Sequence, residues 1–200
     1  MMSTLEFKDS IGKALNAFND IVGKLKHWEE GAKSWYFVVP GTLLGDKILG
    51  SKAEHYAGKV ILLDNCVVVT VSPVIGENMR IVPEDRIVEV AAAITFINIA
   101  PVRSTLSLTE SGVLSSHIRF DLDEIGSEQM DVNKWLAHAL MENISMLCLW
   151  QNVIIRCAEG KLNALDMHKV GCSELSDMMD KCKKHHAEEK EADDGEREGK

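Results

Sequence analysis

The side chains best able to bind a metal gather near the C-terminus: His168, Cys172, Cys182, His185 and His186. Thiolate and imidazole both suit zinc, so the set has the right types for a tetrahedral site. Its spacing is that of no common zinc module. Gly171 interrupts the first pair, and the second pair abuts a charged tail. Incidental Cys and His is the expectation, and no metal is assigned; a small metal- or ligand-binding regulator using His168, Cys172, Cys182 and His185 stands as the alternative. A second constellation is cationic and rich in hydroxyls. Arg103 and Thr105 fall on the polar side of one alternating segment, His117 and Arg119 on that of the next, with Asp121 able to screen them. Cross-strand pairing on a solvated face accounts for them. The functional version is a patch that receives an acidic or polar peptide. Trp135 and Trp150 lie about four helical turns apart, near one face, and are core or interface aromatics. The phosphate-cradling glycine loops, the nucleophile-elbow serine and the H-E-x-x-H zinc helix are all absent from the sequence. A non-enzyme without a cofactor is expected.

The elements that must position these residues read as helix, hairpin, helix from Pro83 to Lys161. Pro83 followed by Glu84 and Asp85 suits a helix start. Ile87, Val90, Ala91, Ile94, Ile97 and Asn98 then recur at helical spacing until Pro101. Val102–Thr109 and Val113–Leu122 alternate with period two. Thr109-Glu110-Ser111-Gly112 has the length and terminal glycine of a hairpin turn with a left-handed residue. Asp131 is placed to cap a long helix that Gly160 ends.

Upstream, Ser3 and Glu6 have capping-box spacing, and Phe7, Ile11, Leu15, Phe18, Val22 and Leu25 continue as one amphipathic helix with Trp28 near its end. That helix packs on the protein's own sheet or docks on a partner. Ser34–Val39 reads as a strand stopped by Pro40-Gly41, and Leu43–Gly58 as an irregular loop. Val60–Leu63 and Val67–Val71 flank a tight turn at Asp64-Asn65. Both faces of this pair are apolar, which predicts strands covered on both sides. A lid is therefore expected: the first helix, the Leu43 loop or a second subunit, hence a homodimer. Ser173 starts a short last helix through Lys184.

Two hundred residues suffice for one real core, here 1–184. Residues 185–200 carry no apolar stripe and are read as a disordered acidic tail. A formal charge of −9 argues against nucleic-acid binding and an anionic membrane surface. Five cysteines without close pairs, three of them in apolar runs, fit a reducing cytoplasm. The N-terminus has no secretion-signal pattern and no apolar run approaches a membrane span.

The segments Ile94-Thr95-Phe96-Ile97-Asn98, Ser107-Leu108-Thr109-Glu110-Ser111-Gly112-Val113 and Ile118-Arg119-Phe120-Asp121-Leu122, with the helix from Trp135 to Gly160, are together similar to the YbjN family of bacterial proteins. Val60–Val71 and Val82-Pro83 fit that family's early strands and central helix. Coverage runs over 34–162; the Leu43–Gly58 loop and everything after Leu162 lie outside the pattern. The resemblance implies a type III secretion chaperone-like fold, labelled in that family as a sensory transduction regulator, whose surface binds other proteins. It brings no catalytic residue. The expectation is a cytoplasmic α+β domain, an antiparallel sheet with helices packed on it, acting as a chaperone- or adaptor-like module for a protein partner or client peptide.

Overall fold

The computed structural model describes residues 4–18, 22, 26–41, 53–98, 103–121, 131–174, 176–177 and 180. Helix α1 (Thr4–Ala17) precedes four strands, β1 (Lys26–Glu29), β2 (Ser34–Pro40), β3 (His55–Leu62) and β4 (Cys66–Val74). A single 3-10 turn (Glu84–Arg86) leads into α2 (Ile87–Ile97), the hairpin β5 (Thr105–Leu108) and β6 (Leu114–Asp121), and the long α3 (Val132–Ala158). The chain is helical again over 164–174. The fold is α+β: one six-stranded antiparallel sheet in the order β1-β2-β3-β4-β6-β5.

Local chemistry sets the boundaries of the second half. The Asp131 carboxylate accepts from the Asn133 amide at 2.9 Å, satisfying an orphan donor of α3, and Gly160 (φ 72°) ends that helix. Gly112 (φ 79°) closes the β5–β6 turn, as its position predicts. It has a second constraint, because a side chain there would overlap the Val82 carbonyl. The Gly112 carbonyl in turn accepts from both Ile81 and Val82 amides at 3.1 Å, which moors the lead-in of α2.

Period two divides the sheet into unlike faces. Trp35, Phe37, Val39, Tyr56, Val60, Leu62, Val67, Val69, Val71, Ile118 and Phe120 share one face through the observed registers, and the helices pack there. On this side Trp135 meets Phe7 and Phe120 edge-on, at centroid separations of 6.2 and 5.1 Å. Tyr56 Oη lies 3.1 Å from Cys148 Sγ. A buried polar knot ties α3 to the strands: Ser104 and Ser116 donate to Asn143 Oδ1 at 2.9 and 2.8 Å, while Asn143 Nδ2 donates to the Val69 carbonyl at 3.2 Å. Such a knot fixes the register of helix on sheet, because any slip would strand buried donors and acceptors.

Three expectations need correction. Helix α1 ends at Ala17, and Trp28 sits on β1 rather than on a helix end. Helix α1 packs on its own sheet: Trp35 Nε1 donates to the Lys8 carbonyl at 3.2 Å, Lys8 Nζ bonds Glu30 at 3.0 Å, and the Trp35 ring fits against Gly12. Strand β3 begins at His55, inside the stretch read as an irregular loop; residues 43–52 of that stretch lie outside the described residues. Among the described residues, the β3–β4 pair is covered on one face only. Its other face, with Ala57, Lys59, Ile61, Val68 and Thr70, is half-exposed. The tail at 185–200, the cap read at Ser3 and the helix stop read at Pro101 lie outside the described residues.

Candidate functional site

The uncovered face carries one continuous cross-strand row over all six strands: His27, Tyr36, Lys59, Thr70, His117 and Thr105. A parallel row, two residues along the strands, has Val38 opposite Ala57 and Ala57 opposite Ser72, then Ser115 opposite Ser107. On the far side of the first row lie Ile61, Val68 and Arg119. The site is thus a shallow field of small residues and hydroxyls, bordered by one aromatic, three aliphatic and several cationic side chains.

Among the described residues, the polar and ring contacts of this field are made within the sheet. His27 stacks on Tyr36 (5.0 Å, 11° between planes), and Lys59 Nζ stands 4.8 Å from the centroid of the same ring. Ser72 and Ser115 hydroxyls pair at 2.7 Å, and Arg119 bridges Asp121 at 3.6 Å. Burial alone holds the His117 imidazole below its ordinary range, so it sits in this field as a neutral ring more readily than as a cation. A hollow of about 410 Å³ opens where Lys26, His27, Tyr36, Phe37, Val38, Ala57 and Gly58 meet. His27, Tyr36, Val38 and Ala57 face the open side; Lys26, Phe37 and Gly58 are the intervening strand positions. Lys26 turns to the helix side and donates to the Leu15 carbonyl at 3.3 Å.

The edges of the sheet are treated differently. Outside β5, the Asn98 side chain acts as a substitute strand: Nδ2 donates to the Leu106 carbonyl at 2.8 Å, and Oδ1 accepts from the Leu106 amide at 2.9 Å. Asn98 is the C-cap residue of α2 but has right-handed dihedrals (φ −71°), so its side chain, not a left-handed backbone, explains its presence. It plugs the edge that an extended peptide would otherwise join.

Of the residues singled out in the sequence, Thr105, His117 and Arg119 share the open face. Arg103 is exposed just ahead of β5. Trp135 and Trp150 do not belong to a surface: they are 3% and 7% exposed, the former among core rings and the latter stacked on His168 at 6.1 Å with Gly171 against it. A partner could reach neither without opening the helix layer, which corrects their place among the binding candidates. Cys66, Cys148 and Cys157 are buried thiols outside any disulfide. His168 and Cys172 stand one turn apart, Nε2 to Sγ 3.7 Å, on an exposed face. Cys182 and His185 lie outside the described residues, and among those described no group of three His, Cys, Asp or Glu is placed to hold an ion. The sequence reading missed Tyr36, Lys59 and the hollow, whose only signal was the Tyr36, Val38 alternation on β2.

Compared with known proteins, the chain matches no family, no curated relative and no solved structure. No described helix is long and apolar enough to cross a membrane.

Proposed function

We propose that this chain is a non-enzymatic protein-binding module, chaperone- or adaptor-like, that holds an extended segment of a partner protein against the open face of its sheet. The observation that carries the reading is the half-exposed field from Tyr36 to Thr105, left without a covering layer among the described residues although it includes Val38, Ala57, Ile61 and Val68. A mixed apolar and hydroxyl face with a few cations suits a polar or acidic peptide with apolar side chains interspersed. With the β5 edge plugged by Asn98, the face itself, rather than strand addition at that edge, is the docking route.

A YbjN-like, type III secretion chaperone-like scaffold, a regulatory role in a bacterial cytoplasm and a homodimer belong to the same proposal. What supports the first is the order helix, strands, helix ending in Asn98, hairpin, helix. For the homodimer, the exposed apolar side chains Val88 (82%) and Phe96 (44%) on α2 are the surface offered. The test is selection of a random peptide library on the purified protein. Peptides alternating apolar with polar or acidic residues should be enriched and then lost on Val68→Arg, while Leu165→Arg, a change at an exposed helix position, leaves them bound. Enrichment indifferent to Val68→Arg would refute the reading.

A further inference from the structure

We propose that the hollow beside Tyr36 is the anchor point of the docked segment, and that it selects an apolar side chain followed or preceded, two residues away, by a carboxylate seated at Lys59. The inference rests on the open-face reading above and assigns to it a specificity. Its first support is shape: the hollow, at about 410 Å³, is large enough for a Phe or Leu side chain, and beside His27 its open-side lining is the Tyr36 ring and the aliphatic Val38 and Ala57. Its second is charge. Lys59 lies beside it and has no carboxylate partner among the described residues; its ammonium rests instead over the Tyr36 ring, with His27 stacked on that ring. Among the described residues, no Asp or Glu lines the hollow.

The third support is register. Val38 and Ala57 occupy one cross-strand row, and Tyr36 and Lys59 the row two residues away. Two residues of an extended chain span roughly 6.5–7 Å, whichever chain they belong to. A peptide lying along the strands with one side chain over Val38 and Ala57 therefore brings its next same-side residue over Tyr36 and Lys59. A carboxylate there gains the Lys59 ammonium without uncovering any existing ion pair, whereas a Lys would meet like charge. The intervening residue faces away and is unconstrained.

Short blocked Ser/Thr peptides carrying Phe-Thr-Glu, Phe-Thr-Lys or Ala-Thr-Glu at their centre provide the test, titrated into nitrogen-15-labelled protein and followed by chemical shift. Phe-Thr-Glu should move the Tyr36, Val38, Ala57 and Lys59 signals in a saturable way. Replacing its Phe by Ala should weaken binding roughly tenfold or more. Replacing its Glu by Lys should weaken it about three- to fivefold, and Lys59→Glu should reverse that preference. Ala57→Leu, which fills the hollow, should abolish the advantage of Phe in a protein whose other signals are unchanged. Equal binding of the Glu and Lys peptides, or an unaltered preference in Lys59→Glu, would overturn the assignment. Shifts confined to the Thr70, His117 and Thr105 end would discard the hollow and keep the open face; no shift anywhere on this face would discard both.

Discussion

The plug at the β5 edge makes a quantitative prediction. Asn98→Ala removes two hydrogen bonds of 2.8 and 2.9 Å to the Leu106 backbone. Each is worth about 0.5–1.5 kcal/mol net, giving roughly 1–3 kcal/mol for the pair. Asn98 is half-buried, so water can replace it at Leu106, and the cost of a stranded buried donor does not apply in full. A loss of about 2 kcal/mol is expected. Asn98→Asp separates the two bonds. An ionised carboxylate still accepts from the Leu106 amide but turns its other oxygen on the Leu106 carbonyl, so the charged form is disfavoured and the folded pKa rises above the unfolded value of about 3.9. The protonated acid can donate to that carbonyl, so the stabilisation is present in full below the unfolded pKa and is lost as pH rises through the folded one. At pH 7 the Asp variant should be no more stable than the Ala variant; near pH 4 it should recover relative to it. Urea unfolding followed by tryptophan fluorescence at both pH values measures this. An Ala variant within about 0.5 kcal/mol of the parent, or an Asp variant matching the parent at pH 7, would show that the side chain does not hold the strand.

Four further outcomes follow from the same contacts. Gly58→Ala would drive a methyl group into the Phe37 ring, so overpacking should lower stability by about 1–3 kcal/mol in the same urea assay. Asn143→Ala removes the acceptor that Ser104 and Ser116 share, leaving them only each other at 2.6 Å, takes a donor from the Val69 carbonyl and leaves a void, so a loss of about 2–3 kcal/mol is expected from calorimetry. Because burial depresses the folded pKa of His117 below 6.5, the unfolded chain binds its proton first; stability present above that pH is lost as pH falls through the folded value. His117→Asn should therefore flatten the fall of Tm on the acid side of 6.5 without changing Tm at pH 8. Phe96→Glu should shift the sedimenting species toward monomer while leaving the circular dichroism spectrum intact; unchanged sedimentation would remove α2 as the dimer surface.

Legibility followed how local each determinant is. The ends of α3 and the β5–β6 turn were readable because Asp131, Gly160 and Gly112 act on their own backbone. Strand β1 was not, since four residues of alternation are too few to outweigh the apolar spacing that runs on past Ala17. Gly58 disguised the start of β3. A glycine in a strand reads as a break, and its purpose, room for the Phe37 ring across the ladder, exists only once β2 is in place. The run Val67-Val68-Val69 suggested two covered faces, yet β-branched residues favour strands with or without a lid, and Val68 lies on the uncovered side. Ser104 and Asn143, polar residues set among apolar neighbours, did carry a trace of the buried knot. The open face was half legible: its hairpin end, Thr105, His117 and Arg119, came from alternation, whereas its Tyr36 end needed the order of the strands.

The hydrogen bonding of that face bears on whether it can be covered at all. Burying a polar group costs free energy unless it is paired, so a face of loose hydroxyls and bare charges would resist any partner. Here Ser72 and Ser115 already satisfy each other, Arg119 holds Asp121, and burial already favours the uncharged form of His117. A partner laid across these groups displaces water from apolar surface at Val38, Ala57, Ile61 and Val68, and its own polar groups must meet the Thr70 and Thr105 hydroxyls, which have no hydrogen-bond partner among the described residues. Among the described residues Lys59 has no carboxylate partner, and its ammonium rests over the Tyr36 ring. A cation over a ring keeps part of its hydration at an exposed site and gains about 0.5–1 kcal/mol there, so a carboxylate can compete for it. Among the described residues Lys59 is the cation of this face without a carboxylate, so it is where a partner's charge is selected, and Lys59→Glu should change which peptides bind more than how many.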